Sequence, residues 1–355
     1  MNKLKSHAFL PILFLRIVFI RIIAKIYVLR LVCLVLGLAS VLTLSGCAAM
    51  QVKLGWKVAL AKTPITSMVA SLPRGPGISP GEKSPLVVAV TQPDGKVLKT
   101  EGEGHGQVQW KELHVDATVV SANNKGVILL PEDPRISDGK LPHVTITVPS
   151  HPDLRAELDI PVRYDRMFSA TYQGPRGRDG SSGTDGTSGS SGSTGSIDPD
   201  HPSAGGDGGN GSDGGNGGDG GNGGDGPPVL VRVTLRPGPH PLLQVGVYAE
   251  LHEKLFLVDP AGGTLTVRAL GGAGGSGGKG GRGGSGGSGG SGSPSGSSGR
   301  SGSDGRDGSS GSPGKGGRVT IVYDPEAQPY MSAILVSNPG GPRPVFNREK
   351  VAPMW

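Results

Sequence analysis

Cysteine is nearly absent from this chain of 355 residues, which contains only Cys33 and Cys47. The sequence after residue 47 therefore has no disulfide and no thiolate metal site to stabilise it. Aromatic residues make up 4% of the chain, which argues against a carbohydrate-binding platform of stacked rings. Whatever folds after residue 47 must depend on packing and hydrogen bonds.

Acidic residues are absent from positions 1–46, and the uncharged run 31–46 closes this stretch. At about 1.5 Å per residue, that run is shorter than the roughly 30 Å hydrocarbon core, which predicts a signal-peptide core rather than a membrane span. The basic residues of the stretch are Lys3, Lys5, Arg16, Arg21, Lys25 and Arg30. Without them, the 35 basic residues of the whole chain fall to 29, equal to its 29 acidic residues. A neutral mature chain gives no support for nucleic-acid binding.

The uncharged run ends in Leu44-Ser45-Gly46-Cys47. This sequence matches the four-residue lipobox, and the chain resembles bacterial lipoproteins in this respect. The resemblance implies cleavage between Gly46 and Cys47 and acylation of Cys47, and two or three acyl chains make membrane attachment stable. Ala48 stands where the family's inner-membrane retention signal has aspartate, which implies the outer membrane or cell surface of a Gram-negative bacterium. An uncleaved anchor that ends near Gly46 is the alternative.

Short strands separated by Pro, Gly and Asp are predicted after residue 50. A first hairpin turns at Pro93-Asp94-Gly95, because the proline presets φ and the glycine tolerates positive φ. A second joins a strand over 114–121 to one over 127–130 through a turn at 123–126. Further strands are predicted at 144–148, 160–164, 167–172, 229–236, 243–251, 255–258, 264–270, 318–323 and 330–337. The sequence ISPGEKSPLVVAVTQPDG before residue 96 resembles the opening of bacterial immunoglobulin-like surface domains.

Glycine occupies every third position in four blocks: 174–195, 205–226, 272–290 and 296–317. The phase resembles the collagen repeat, as in GPRGRDGSSGTDG at 174–186, but proline is scarce inside the blocks. The second and third blocks are largely Gly-Gly-X and resemble the polyglycine-II bundles of glycine-rich antifreeze proteins and of certain phage adhesin tips. A disordered Gly/Ser tether remains open as well, because ordering glycine costs much entropy. Matched block lengths and a kept phase favour the bundle.

The predicted fold class is mostly β, with an antiparallel, immunoglobulin-like β-sandwich and a small second β domain that carries two long glycine-rich insertions. These insertions are a four-helix polyglycine-II bundle or else disordered. The predicted boundaries are 1–46 for the signal peptide, 47–172 for the sandwich, 173–226 and 271–317 for the insertions, and 227–270 and 318–355 for the remaining β segments. The layout is similar to that of uncharacterised bacterial lipoproteins with collagen-like glycine tracts.

Candidate ligands and catalytic groups are few in this sequence. Asp207, Asp213, Asp219 and Asp225 are weak calcium candidates, since same-face neighbours in a three-residue helix stand about 9 Å apart, which favours solvated polar edging. Glu112, His114 and Asp116 are an acid–base or metal candidate, with a wet strand face as the simpler interpretation. The residues expected in the core are Trp110, Tyr164, Phe168, Tyr172, Tyr248 and Phe256. The stretch 340–355 is expected to pack back on the β domain.

Two hypotheses about function follow. The favoured one is a non-enzymatic lipoprotein without cofactors, attached to the membrane through Cys47, whose glycine blocks serve as a spacer or contact surface toward an envelope or matrix component. The other is an envelope hydrolase with a site on β-sandwich loops, drawn from Glu101, Glu103, His105 or the His114 group.

Overall fold

The computed structural model describes Val52 and residues 56–355. The regular secondary structure of these residues is mostly β-strand, with short helical turns, and the residues form two compact units. The first unit contains the described residues up to Gly77 with 83–129 and 141–161, and the second contains 78–82, 130–140 and 162–355. Within the described residues, every helix falls short of the length and apolar character that a bilayer crossing needs. The predicted signal-peptide core, Gly46 and Cys47 lie outside the described residues.

The first unit consists of three small antiparallel sheets, ordered β1-β3-β4, β2-β7-β6 and β5-β8-β9. Their strands are β1 (Ser67–Ser71), β2 (Lys83–Pro85), β3 (Val87–Thr91), β4 (Val97–Lys99), β5 (His114–Thr118), β6 (Ser121–Ala122), β7 (Val127–Leu129), β8 (His143–Val148) and β9 (His151–Asp159). Apolar side chains such as Val88, Ile128 and Ile146 are fully buried. Short 3₁₀ helices form at Leu60–Lys62, Gly102–Gly104 and Trp110–Glu112.

The hairpin predicted at Pro93-Asp94-Gly95 is confirmed. β3 and β4 pair antiparallel on either side of it, and the Gln92 N–H donates to the Lys96 carbonyl at 2.9 Å. Gly95 has φ of +85°, a conformation that glycine adopts without steric cost.

The second hairpin differs from its prediction. β5 ends at Thr118, Val119 has φ of +68°, and the short β6 pairs with β7 through the predicted turn. β5 pairs with β8 instead. Alternating side chains fix which face of a strand is buried but not which strand lies beside it, so the turn was correct and the partner of β5 was wrong.

The strand predicted at 160–164 is also wrong. The nearest strand, β9, ends just before this range, at Asp159. Within the range, Val162 makes only an isolated parallel bridge with Ile78. Ile160 is fully buried, and its N–H donates to the Pro142 carbonyl. The burial of β9 does not alternate regularly, so its sequence lacks the period-two pattern on which strand prediction relies.

The second unit contains a five-stranded sheet, ordered β13-β12-β11-β15-β17, and a three-stranded parallel sheet, ordered β10-β14-β16. The strands are β10 (Met167–Gln173), β11 (Val229–Arg236), β12 (Leu242–Ala249), β13 (His252–Val258), β14 (Thr264–Leu270), β15 (Val319–Tyr323), β16 (Ile334–Ser337) and β17 (Val345–Arg348). A helical turn at Pro134–Ser137 and a 3₁₀ helix at Pro325–Ala333 complete it, and this 3₁₀ helix replaces the first part of the strand predicted at 330–337. The inward faces of both sheets share one hydrophobic core, which includes Val231, Val245 and Leu265.

The aromatic residues expected in the core are all buried or half-buried. Trp110 and Phe256 are buried, and the Phe168 and Phe256 rings are 6.0 Å apart. Tyr164, Tyr172 and Tyr248 are half-buried.

The chain end packs on the second unit, as expected from its sequence. Val351 is 3% exposed, and the Trp355 indole N–H donates to Asp138 Oδ2 at 2.9 Å. Asp138 also holds the Arg236 guanidinium at 2.7 Å. The last residues are therefore fixed by burial and by a shared carboxylate.

Four glycine-rich segments lie side by side in the second unit: the first over 174–195, the second over 205–226, the third over 272–290 and the fourth over 296–317. The first begins where β10 ends and the second leads into β11, while the third begins where β14 ends and the fourth leads into β15. Backbone hydrogen bonds of 2.6–3.0 Å join the segments at every third residue. Their contacts define the candidate site.

Candidate functional site

The number of neighbours of each glycine segment follows its glycine content. The first and fourth segments have one glycine per triplet, and each bonds to two other segments; the second and third have two per triplet, and each bonds to the other three. The first and third run parallel, as do the second and fourth. A helix of three residues per turn has three faces, so a second glycine row opens a second face to backbone contact.

The glycine rows face backbone that leaves no room for a side chain. A Cβ added at Gly183 would lie 2.0 Å from the Gly215 carbonyl oxygen, and one at Gly281 would lie 2.0 Å from that of Thr184. A carbonyl oxygen held in a hydrogen-bonded segment cannot rotate away as a side chain can. Glycine is needed here for close approach of backbones.

One row is less crowded, and the sequence places a serine in it. Cβ atoms added at Gly209 and Gly215 would lie 3.0 Å from the side-chain oxygens of Ser190 and Thr184. Ser212 stands between these two glycines in the same row, and its Oγ accepts a hydrogen bond from the Thr187 N–H at 2.8 Å. The single break in the double glycine pattern of the second segment therefore occurs where the neighbour is a side chain.

Seven two-point clamps join the second segment to the fourth. At each one, an Asp or Asn Oδ1 of the second segment accepts the N–H of a fourth-segment residue, and the next glycine N–H donates to the carbonyl of that same residue. At Asn210 the partner is Arg300, with distances of 2.8 and 2.9 Å. The other acceptors are Asp207, Asp213, Asn216, Asp219, Asn222 and Asp225.

The four calcium candidates Asp207, Asp213, Asp219 and Asp225 all belong to these clamps, with Oδ1 to N distances of 2.6–2.8 Å. They are exposed, but they are bonded to backbone and are more than the solvated edging expected from the sequence. No group of three or more His, Cys, Asp or Glu within the described part of the chain is placed to hold a metal ion. Two features of the sequence could have predicted these contacts: the Asp or Asn at every third position of the second segment, and the equal length of the fourth segment.

The strands and the glycine segments share one register. β10 pairs with β14 at a separation of 97 residues, as in Met167 with Thr264, and the Asp179 carboxylate accepts the Ser276 N–H at the same separation. β11 pairs with β15 at 90 residues, as in Val229 with Val319, and all seven clamps span 90. Parallel pairing was not predicted, because it depends on the long connections through the glycine segments.

Most outward residues of the segments are polar. Beyond Asp185 the first segment carries only Ser and Thr on its outer positions, and beyond Arg282 the third carries only Ser. Near the sheets, Asp179 accepts the Ser276 N–H and lies 2.9 Å from Arg176, and these two contacts hold the pKa of Asp179 below its usual value. On the first and third segments, the half nearest the turns thus presents hydroxyl groups, and the half nearest the sheets presents charges of both signs. The second and fourth segments also carry charged residues near their turns, such as Asp207 and Arg300.

The loop residues considered for catalysis have separate partners. Glu101 lies 2.7 Å from Lys57 and accepts the Trp110 N–H; burial raises the pKa of Glu101, but these two partners outweigh it and keep the pKa below its usual value. Glu103 pairs with Arg74 at 3.4 Å. His105 is exposed, with φ of +50°.

The His114 group is split in the structure. His114 and Asp116 share an exposed face of β5, with Nε2 3.3 Å from Oδ2. The Glu112 carboxylate instead accepts the N–H of Leu60.

His143 was not among the candidate residues predicted from the sequence, but both of its ring nitrogens have side-chain partners. His143 Nδ1 lies 2.7 Å from Asp159 Oδ1, and its Nε2 lies 3.2 Å from Thr145 Oγ1. His143 and Asp159 are directly paired residues at one end of β8 and β9, so this contact joins the two strands. This cross-strand contact depends on strand register, which no local motif reveals.

Comparison with known proteins adds no relative: no family model matches the chain, and neither a curated protein nor a solved structure matches it.

Proposed function

We propose that this protein is a non-enzymatic, lipid-anchored envelope protein in which the four glycine segments form a polyglycine-II bundle that acts as a rigid spacer. The observation that carries the proposal is the unbroken register from paired strands into the paired glycine segments. A spacer built in this way is held at its base by two sheets. It projects its turn end away from them.

Several features support a bundle over a disordered tether or a collagen-like trimer. Hydrogen bonds recur at every third residue between four segments of one chain, which suits helices of three residues per turn. A disordered tether requires neither glycine at every third position nor the two-point clamps between the second and fourth segments. A collagen trimer would need three chains that all run parallel, whereas here segments that follow one another along the chain run antiparallel.

The remaining parts fit this role. We infer that the first unit is an immunoglobulin-like sandwich, supported by its short strands and antiparallel sheets. The hydroxyl-rich outer positions of the first and third segments near the turns are the part available for contact with an envelope or matrix component. The glycine rows themselves face inward, so adhesion would use the outer Ser, Thr and Asn side chains rather than bare backbone.

Acylation at Cys47 is the first testable element. Replacing Cys47 by serine is expected to abolish incorporation of labelled fatty acid, because the acyl chains need the cysteine sulfur and the amine freed by cleavage. The matched control is Cys33→Ser, which removes the other cysteine within the proposed leader and should leave labelling and the mature mass unchanged. A wild-type protein that retains residues 1–46 and carries no label would show an uncleaved anchor instead.

The rigid spacer is tested by its length. The chain from Ala48 onward contains no cysteine, so spin labels can be placed at Gln173→Cys and Asp198→Cys alone. Twenty-two residues at about 3.1 Å each predict a narrow distance distribution near 70 Å. A flexible coil of this length would average roughly 25–30 Å with a broad spread, and that result would reject the spacer.

A further inference from the structure

Three Asn-Gly sequences lie in the second glycine segment, at 210–211, 216–217 and 222–223. In flexible chains this is the sequence most prone to loss of the side-chain amide, because glycine leaves its own backbone nitrogen unhindered. Asparagine is among the chemically labile residues for that reason. All three pairs belong to the two-point clamps.

The clamps restrain both reacting groups. The Gly211 N–H donates to the Arg300 carbonyl at 2.9 Å, and the Asn210 Oδ1 accepts the Arg300 N–H at 2.8 Å. Arg306 holds Asn216 and its glycine in the same way, and Ser312 holds Asn222 and its glycine. Attack on the side chain would require the glycine nitrogen to lose this bond and the asparagine to turn back on its own backbone.

We propose that Asn210, Asn216 and Asn222 are modification sites gated by the bundle: they are protected while the second and fourth segments are paired, and they deamidate once the segments separate. The inference rests on the proposed ordered bundle. It goes beyond the spacer role, because it assigns a chemical change to the asparagines when the second and fourth segments separate.

The chemistry needs only water. In an opened segment, the Gly211 nitrogen gives up its proton and attacks Cγ of Asn210; a C–N bond forms, the bond from Cγ to the amide nitrogen breaks, and ammonia leaves with that proton. Water then adds to either carbonyl of the cyclic imide and opens it to aspartate or isoaspartate. No electron transfer is involved.

The two products have different consequences for closing. Aspartate keeps the Oδ1 acceptor, but it turns alternating Asp and Asn into a row of carboxylates about 9 Å apart. Isoaspartate adds one methylene to the backbone, which displaces every glycine beyond it from its row. Where the rows leave only 2.0–2.3 Å between an added Cβ and a carbonyl oxygen, such a displacement prevents complete re-pairing. Opening would thus become permanent.

The test compares the mature chain, purified in detergent, with a synthetic peptide of residues 205–226 at mildly alkaline pH. Mass spectrometry of proteolytic fragments follows the replacement of the side-chain amide by hydroxyl at each asparagine. We expect each site to react at least about tenfold more slowly in the protein, because modification that passes through opened molecules is slowed by the opening equilibrium. Hydrogen exchange of the glycine amides is measured on the same samples.

A pair of variants identifies the cause. Gly308→Ala would place its Cβ 2.0 Å from the Gly218 carbonyl oxygen and should bring all three sites close to the peptide rate. Ser310→Ala, at an exposed position of the same segment, should stay protected. Fast deamidation with protected glycine amides would overturn the gating but leave the bundle. Fast deamidation with freely exchanging amides would overturn both.

Discussion

Deleting Gly214 alone is expected to open the part of the bundle that lies between this residue and the turn. The stretch 215–226 is held by β11, so residues 205–213 rotate by one third of a turn. Asp213, Asn210 and Asp207 then enter the row that Gly214, Gly211 and Gly208 occupy. Cβ atoms in that row lie 2.1–2.2 Å from carbonyl oxygens of the third segment.

The effect should be large. Each such clash costs about 1–3 kcal/mol, and every 1.4 kcal/mol changes an equilibrium tenfold. Glycine amides of 205–211 should therefore exchange at least about 100-fold faster than in the parent, while those of the β-sheet core stay protected. Hydrogen exchange with fragment analysis measures both regions at once.

The matched control removes a whole triplet, Gly214-Gly215-Asn216. This deletion keeps the phase and brings Asp213 opposite Arg306, where a carboxylate oxygen can accept the same N–H as Asn216. Only the pairs next to the turn should be lost. If the glycine amides exchanged at the same rate in the parent and in both deletion variants, the glycine phase would not contribute to structure. The segments would then be a disordered tether.

The glycine segments were predictable in existence but not in arrangement. The phase and the matched lengths are properties of the sequence, and so is the excess of glycine in the second and third segments. Which segment bonds to which depends on the parallel pairing of β10 with β14 and of β11 with β15. Those pairings join residues 97 and 90 positions apart, and local pattern carries no information about them.

The same limit applies to the candidate site. Asp207 and its equivalents were visible as a polar row, but their partners are backbone N–H groups of Ser297 and its equivalents, which have no side-chain signature. In the sequence, Ser212 is a break in the Gly-Gly-X pattern of the second segment. Its place is explained only when Thr187 is seen beside it. By contrast, the turn at Pro93-Asp94-Gly95 depends on local backbone preferences alone, and it was predicted correctly.

The register also gives a reason why the proposed bundle needs no apolar core. The strands at its base bury Val231, Val245 and Leu265 in the shared core of the second unit, and this burial supplies the hydrophobic stabilisation that the glycine segments lack. Pairing of the strands brings the first triplets into contact, so each further triplet closes with no new loop to order. The bundle can then extend from the sheets toward the turns.

Replacing Gly281 by alanine tests this interior directly. Gly281 lies in the buried row of the third segment, its N–H donates to the Gly215 carbonyl at 2.8 Å, and an added Cβ would meet the Thr184 carbonyl oxygen at 2.0 Å. Overpacking together with the loss of adjacent hydrogen bonds should lower the free energy of bundle opening by about 3 kcal/mol. Exchange of the glycine amides from 275 to 287 measures it.

Two controls separate this clash from the mere loss of a glycine. Gly215→Ser approaches the same Thr184, but at 3.0 Å from its Oγ1, and it repeats the arrangement that Ser212 already has. Ser285→Ala changes an exposed position of the third segment itself. In both variants, the exchange rates of the glycine amides should stay close to those of the parent. For Gly215→Ser, the serine also reduces the conformational entropy of the open chain. If Gly281→Ala exchanged like these controls, the third segment could not lie in contact with the first, and the bundle would have to be replaced by a looser arrangement.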